Sequence, residues 1–350
     1  MNGNVFFTLF WLAIISPILA NAQGFAELGA PSRGFAMPQP NYQLRFPHDH
    51  GSHPKFRIEW WYLTANLQGP DQTDYGLQWT LFRSALSPET ASGWHSPQLW
   101  MGHAAVTSPE QHFTAERLAR GGIGQAGVTA DPFAAWIDDW SLYGTSLDRV
   151  RVRAAGAAFE YDMELTARGP LVLHGQRGFS VKSNDGAASH YYSQPFYEIS
   201  GMLTLPQGKV PVKGQAWLDR EWSSSPLAAS QIGWDWFSLS FENGDKLMAF
   251  QLRDRKRSQF NSATWIAADG TTMAYGTGAL LATPVRSRTV AGRKIPTVWA
   301  LQLPDRNLDI RLSAINPNAW MDVSVPYWEG PIRVEGSHSG RGYLEMTGYE

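Results

Sequence analysis

Two stretches of the chain repeat one pattern of alternating aromatic and small polar residues, and that repetition limits the possible folds more than any other feature. Trp60-Trp61-Tyr62-Leu63-Thr64-Ala65-Asn66-Leu67 aligns with Trp234-Asp235-Trp236-Phe237-Ser238-Leu239-Ser240-Phe241, so that Trp60 falls on Trp234, Tyr62 on Trp236, Thr64 on Ser238 and Asn66 on Ser240. A turn and a second alternating run follow each copy, Leu77-Gln78-Trp79-Thr80-Leu81 and Met248-Ala249-Phe250-Gln251-Leu252. Alternation with period two over such lengths predicts strands. The copies lie about half a chain apart, which fits two similar β units rather than a solenoid, whose repeats are far shorter. A duplicated, tryptophan-lined β unit is suited to enclosing something apolar.

The remaining text is also almost all β. Short alternating runs are separated by turn signals such as Gly69-Pro70-Asp71, Asn184-Asp185-Gly186, Asn243-Gly244 and Ala268-Asp269-Gly270. This spacing predicts a sandwich or barrel, and a barrel of about eight strands can hold one small ligand in its mouth. Pro109 to Arg120 alone has the character of a short helix or turn. The expected organisation is a signal peptide over 1–22, an irregular lead-in over 23–41, and two β units over 42–206 and 207–350. The boundary rests on Leu205-Pro206-Gln207-Gly208, a stretch that reads equally well as a hairpin turn.

Composition narrows the partners. Val5 to Leu19 is apolar and ends at Ala20-Asn21-Ala22, an A-x-A cleavage pattern, although no Lys or Arg precedes it. Export to the periplasm or medium is expected, with no transmembrane anchor in the mature chain. The chain has no cysteine, which excludes disulfides, a lipoprotein anchor and thiolate metal sites. A net charge of −2 gives no support to nucleic acid or an anionic membrane surface as partner. The 16 tryptophans exceed what a generic core requires; a large β core explains some of them, and a lined cavity is compatible with that.

Gln215 to Trp222 is the most pointed segment. As a strand it puts Trp217, Asp219 and Glu221 on one face and Ala216, Leu218 and Arg220 on the other. A carboxyl beside indole rings loses hydration, so its pKa rises and it becomes a proton donor. The structural alternative is an ion-pair network of Asp219, Arg220 and Glu221. His190 and Tyr192 share a face of a strand after the Asn184-Asp185-Gly186 turn, where a lone histidine more often serves structure than acid–base chemistry. Glu59 sits in a second aromatic setting, with Arg57 or Arg83 as its ordinary partner. His48, His50 and His53 look like metal ligands, but Gly51 and Pro54 place them in a loop and no supporting motif accompanies them, so no metal is assigned. Gly122-Ile123-Gly124-Gln125-Ala126-Gly127 has the dinucleotide-binding spacing without a strand–helix context. Gly336-Ser337-His338-Ser339-Gly340 has histidine where a nucleophile elbow has serine. Arg253-Asp254-Arg255-Lys256-Arg257 reads as a solvated charge run.

Several of these strings together resemble the carotenoid 1,2-hydratase (hydroxyneurosporene synthase) family, and more closely its secreted AttH-like relatives. They are His53-Pro54 through Glu59-Trp60-Trp61-Tyr62, Gly214 to Trp222, Gly233-Trp234-Asp235-Trp236-Phe237, Tyr327-Trp328-Glu329-Gly330 and Gly342 to Tyr349. The resemblance spans about residues 45 to 350 and implies an all-β fold of two tandem lipocalin-like β-barrel domains. It further implies cofactor-free addition of water to a terminal C=C bond of an acyclic carotenoid, or here of another isoprenoid or lipidic substrate. The family's proposed acid–base residues are a His with Trp two positions on and a Tyr with Asp two positions on. By that match His190 and Asp219 are retained, while Tyr192 and Trp217 stand in for Trp and Tyr.

Two functions compete at this point. In the first, Asp219 protonates an alkene, rings such as Trp217, Tyr192, Trp234 and Trp236 face the cation, and His190 deprotonates the attacking water. In the second, the chain carries an apolar small molecule in the cell envelope, a role that in some relatives is linked to stress. Under either, Glu59, Trp60, Tyr62, Glu221, Trp234 and Trp236 are expected to contact the ligand. An acid needs Asp219 free of cations and facing a cavity, whereas a carrier needs it neutralised by a partner such as Arg220.

Overall fold

The computed structural model describes residues 33–89, 91–255 and 259–349. The expected signal peptide and residues 23–32 of the lead-in lie outside the described residues, as do Lys256 and Arg257. Among the described residues no helix is long and apolar enough to cross a membrane.

The first sheet contains β1 (Ile58–Gln68), β2 (Asp74–Ala85), β3 (Gln98–Thr107), β4 (His112–Arg120), β5 (Ala126–Ala130), β6 (Phe133–Ile137), β7 (Trp140–Ser146), β8 (Arg149–Ala155), β9 (Glu160–Ala167), β10 (Val172–Leu173), β11 (Phe179–Val181), β12 (Ala188–Leu205) and β13 (Gly208–Ser225). Its strands run in the order β4-β3-β2-β1-β13-β12-β9-β8-β7-β6-β5, all antiparallel neighbours. The sheet curls until β6 packs on β2, β3 and β4, so it nearly closes into a barrel. The second contains β14 (Gln231–Phe241), β15 (Lys246–Asp254), β16 (Phe260–Ile266), β17 (Thr272–Tyr275), β18 (Leu281–Val290), β19 (Arg293–Leu303), β20 (Leu308–Ala314), β21 (Trp320–Met321), β22 (Tyr327–Gly336) and β23 (Gly340–Met346). Its order is β17-β16-β15-β14-β23-β22-β20-β19-β18, a half-barrel. The all-β, tandem lipocalin-like architecture is therefore the observed one.

The repeat occupies equivalent places in the two sheets. β1 lies between β2 and β13, and β14 lies between β15 and β23. Gly214 and Gly340 mark the correspondence: a Cβ on either would collide with a backbone carbonyl, of Asn66 in one case and Ser240 in the other. Asn66 and Ser240 are themselves repeat partners. Close backbone approach at both points is what requires glycine there.

Alternation sends the two faces of each repeat strand to different cores. Trp61, Leu63, Ala65 and Leu67 fill the first barrel together with Trp79, Trp140, Tyr161 and Trp222. Phe237, Leu239 and Phe241 fill the second unit with Trp299, Leu301 and Trp328. Tyr62, Trp217, Tyr191, Trp236, Met248, Phe250 and Tyr343 form a third apolar cluster between the sheets, with Trp60 and Trp234 packed against it. The first barrel is thus occupied by its own side chains, and the interior lined by the repeat lies where the two units meet.

Three expectations are corrected. Leu205 to Gly208 is the tight turn of the β12–β13 hairpin inside the first sheet, and the chain passes to the second sheet only after Ser225. Most of the expected helix is β4, because its backbone completes the edge of the sheet against β3 and tertiary pairing overrides local preference. Arg253 is not a solvated charge: it pairs with buried Asp235 and its guanidinium lies 3.9 Å from the Tyr349 ring centre.

Candidate active site

A cavity of about 380 Å³ lies between the two sheets, within the size range of small-molecule sites. Strand register arranges its lining in levels. At the deepest level Tyr62 pairs with Asp219 on β13, and two strands away His103 stands at the same height. The second sheet supplies Trp236, paired with Glu345 on β23 and Phe250 on β15. One level outward stand Trp60, Glu221, Phe82 and Met101 from the first sheet and Trp234 and Leu252 from the second. Ile58, Ser84 and Leu99 form the next level, and Leu86, 69% exposed, marks the opening. The result is a shaft with aromatic and aliphatic walls and a floor that carries acids.

The two acids occupy equivalent positions of the duplicated unit. Trp217-Leu218-Asp219 on β13 corresponds to Tyr343-Leu344-Glu345 on β23, because the first pairs with β1 and the second with β14 in the same register. Asp219 has 2% of its surface accessible. It accepts hydrogen bonds from Tyr191 Oη at 2.6 Å, from Trp217 Nε1 at 2.6 Å and from Ser193 Oγ. Burial raises its pKa from an ordinary 3.8 to about 7, against the opposing pull of those three donors. Glu345 accepts one such bond, from Trp234 Nε1 at 3.0 Å. Burial likewise lifts it to about 7, and the charges of Asp219 and Glu221 push the same way.

Arg57 and Lys182 are the cations of the cavity lining, and Arg220 is not part of it. Arg220 lies on the opposite face of β13, where it pairs with Glu59 and packs over Trp61. Lys182 does line the cavity, but its Nζ is 2.8 Å from Glu221 Oε1 and lies over the rings of Phe250 and Tyr191. Glu221 also accepts from Ser189 Oγ. Behind Asp219, Ser193 Oγ is 2.6 Å from His174 Nε2, and His174 Nδ1 is 3.0 Å from Thr264 Oγ1. Burial drives His174 well below the ordinary histidine range, so this imidazole is neutral.

Of the residues singled out in the sequence, Asp219, Trp60, Tyr62, Glu221, Trp234 and Trp236 line the cavity, and Trp217 touches it through its bond to Asp219. Tyr62 and Trp236, the repeat partners, meet edge to face across it with centroids 5.1 Å apart. His190, Tyr192 and Glu59 do not belong to it. The strand pleat turns His190 and Tyr192 to the barrel side of β12 and presents Tyr191 and Ser193 to Asp219 instead. His190 there packs against Tyr42 and Trp222, and Tyr192 Oη is 2.7 Å from His50 Nδ1. Glu59 is held by Arg83, Arg220 and His53 in a buried ionic cluster on the same side.

That cluster also accounts for the loop histidines. His48, Asp49 and His53 bring possible ligand atoms within 4.8 Å of one another. Asp49 Oδ1 already receives Tyr42 Oη and His48 Nδ1 at 2.8 Å and His53 Nε2 at 3.2 Å, while Oδ2 accepts Arg45 N. His53 stacks on Trp222 with centroids 4.0 Å apart and bonds Arg220 through Nδ1. Protein donors thus satisfy this group. Sequence reading missed Glu345, Tyr191, Ser193, Lys182 and His103. The aromatic-Leu-acid phrase shared by 217–219 and 343–345 was the available signal for Glu345.

A family model described as AttH-like matches residues 37–349. Among solved structures, a protein assigned as an AttH from Nitrosomonas europaea superposes with a TM-score of 0.81 at 32% identity, over 90% of this chain and 99% of that one. Kievitone hydratase from Nectria haematococca gives a TM-score of 0.67 at 17% identity, over 90% and 98%. CghA with Sch210972 gives 0.54 at 10% identity, over 91% and 97%. These last two share the fold. No curated protein matches the chain.

Proposed function

The chain belongs to the AttH-like family, and on that premise we propose that it hydrates a carbon–carbon double bond at the apolar end of an isoprenoid-like small molecule. The observation that carries this reading is Asp219: a buried carboxyl held by neutral donors, with no cation on it among the described residues, at the deep end of an apolar shaft. The reactive end of a substrate enters first and the rest of it fills the shaft. Asp219 gives its proton to one alkene carbon, the π electrons form the new C–H bond, and positive charge develops on the other carbon. Tyr62, Trp236, Trp60 and Trp234 face that charge, a cation–π contribution of about 2 kcal/mol or more once water is excluded. Tyr191, Ser193 and Trp217 stabilise the carboxylate that Asp219 becomes, so their bonds strengthen as the proton leaves.

Water attacks the cation, and a base must take its surplus proton. His190 faces away from the cavity, and Glu345 is the group positioned for this step. Two carboxyls sharing one low-dielectric floor near neutral pH favour the state with one proton between them, which supplies an acid and a base together. A fold neighbour named for hydration, kievitone hydratase, supports the same reaction class. The carrier reading draws on a different observation, that three neutral donors satisfy Asp219 without any chemistry.

Incubation with acyclic isoprenoids bearing a terminal trisubstituted alkene, in heavy-oxygen water, separates the two. The hydratase reading expects a tertiary alcohol carrying the label. Substrates of several chain lengths that bind but emerge unchanged would leave the carrier reading standing.

A further inference from the structure

We propose that Glu329, Tyr327, His103 and Glu116 form a proton relay from the cavity floor beside Glu345 to the protein surface. The path crosses both units. Glu329 on β22 stands directly opposite Glu345 on β23, and side chains opposed in this way on one sheet face are near neighbours. Tyr62 donates to Glu329 Oε1, and Tyr327, two residues along β22 on the same face, stands beside this carboxyl, whose buried Oε2 has no hydrogen-bond partner among the described residues. Tyr327 Oη is 3.1 Å from His103 Nδ1, with the two rings stacked at 5.7 Å. On its other side His103 Nε2 is 3.3 Å from Glu116 Oε1. Glu116 has 20% of its side chain exposed and is held by Ser324 through N at 3.0 Å and Oγ at 2.6 Å.

Each intermediate can both give and receive a proton. A phenol does so through one oxygen, and a neutral imidazole does so through its two nitrogens. Burial is the larger influence on His103 and lowers its pKa despite Glu116, which keeps the imidazole neutral. Burial also holds Glu329 well above the ordinary carboxylate range, so it carries a proton to pass on. The relay answers a need that follows from the proposed hydration, on which its role in turnover rests. The water proton taken by Glu345 lies at a blind end while product still fills the shaft. It leaves through Glu329 and Glu116, one proton entering and one leaving at every group. Asp219 then regains a proton from water once the shaft empties, and no net charge accumulates.

The test reads the Glu329 carboxyl proton directly. Its infrared band, assigned by its loss in Glu329→Gln, is followed after transfer into deuterated water. The relay predicts rapid exchange in the unmodified protein and exchange slowed by about tenfold or more in His103→Phe, which retains the ring but loses both nitrogens. His103→Gln, which keeps hydrogen bonding without imidazole transfer, should be slowed too, and it serves if the Phe variant does not fold. Glu116→Gln should slow exchange less. Unchanged exchange in a folded His103 variant, or a Glu329 already ionised at neutral pH, overturns the relay. In turnover, His103→Phe should lower kcat by about tenfold, less than the hundredfold typical of losing a direct acid or base. Slowed exchange in a protein that hydrates nothing would uphold the relay and sink the hydratase reading.

Discussion

Asp219 and Arg220 are consecutive residues of β13, yet they belong to two buried polar regions with opposite electrostatics. On the barrel side Arg220 joins Arg83 and His53 around Glu59. Burial pushes the Glu59 carboxyl up, but the two guanidiniums and His53 overcome it and hold the group well below the ordinary range. On the cavity side Asp219 has the same burial and only neutral donors, and its pKa rises. One step of the strand pleat separates a permanently ionised structural carboxylate from a titratable acid. The same strand therefore sets its arginine among the barrel-side ions and its aspartate among neutral donors.

Asp219→Asn should produce the largest effect. Turnover is expected to fall by roughly 10² to 10⁴, the range for a lost general acid, while affinity for an unreactive ligand stays within a few-fold. Steady-state kinetics beside a binding titration check this, and near-normal turnover would erase the functional half of the contrast. Glu59→Gln addresses the other half. Breaking a buried pair strands the remaining charges, so urea unfolding should register a loss of about 3–5 kcal/mol. A change below about 1 kcal/mol would mean the cluster contributes no more than an exposed ion pair.

The two regions also predict opposite pH trends in stability. Asp219 and Glu345 keep their protons in the folded state up to about pH 7, whereas the unfolded chain releases them near pH 4. The folded state therefore binds more protons across that window, and stability falls as pH rises from about 4 to about 7, by an amount of the order of a few kcal/mol. Glu59 is ionised when folded, and its contribution is lost as pH falls through the ordinary carboxylate range. Denaturation midpoints across pH 4 to 8 should show a shallower decline in Asp219→Asn than in the unmodified chain. An equal slope in both would place the titration elsewhere. Tyr191→Phe gives the smallest change. Removing one donor of about 1 kcal/mol should raise the Asp219 pKa further and slow turnover several-fold, visible as an upward shift of the alkaline limb of the rate profile, where the acid loses its proton.

Much of this was legible in the sequence. Alternation alone separated Trp217, Asp219 and Glu221 from Arg220, because a strand leaves no freedom in that assignment. The repeat fixed which rings would share a surface, and Tyr62 does meet Trp236. For His190 and Tyr192 the pattern showed that they share a face of β12 and not which one, since the face is set by pairing with a strand many residues away. The same limit hid His103, which reaches the floor only because β3 is two strands removed from β1. The ordinary partner considered for Glu59, Arg83, is the one found, but its second partner Arg220 lies far along the chain and needed the β1–β13 pairing to appear. Residues 109–120 have a helix-forming composition, and only the free edge of β3 decides their state.

The two sheets are separate hydrogen-bonded ladders, so among the described residues no backbone pairing spans the shaft. Its calibre is set by how deeply side chains such as Tyr62 and Trp236 interlock, and not by strand registry. Exchanging a ring for a smaller residue at those points can widen or lengthen the bore without disturbing either ladder. A lineage built this way is free to reshape the bore one substitution at a time while the scaffold stays intact.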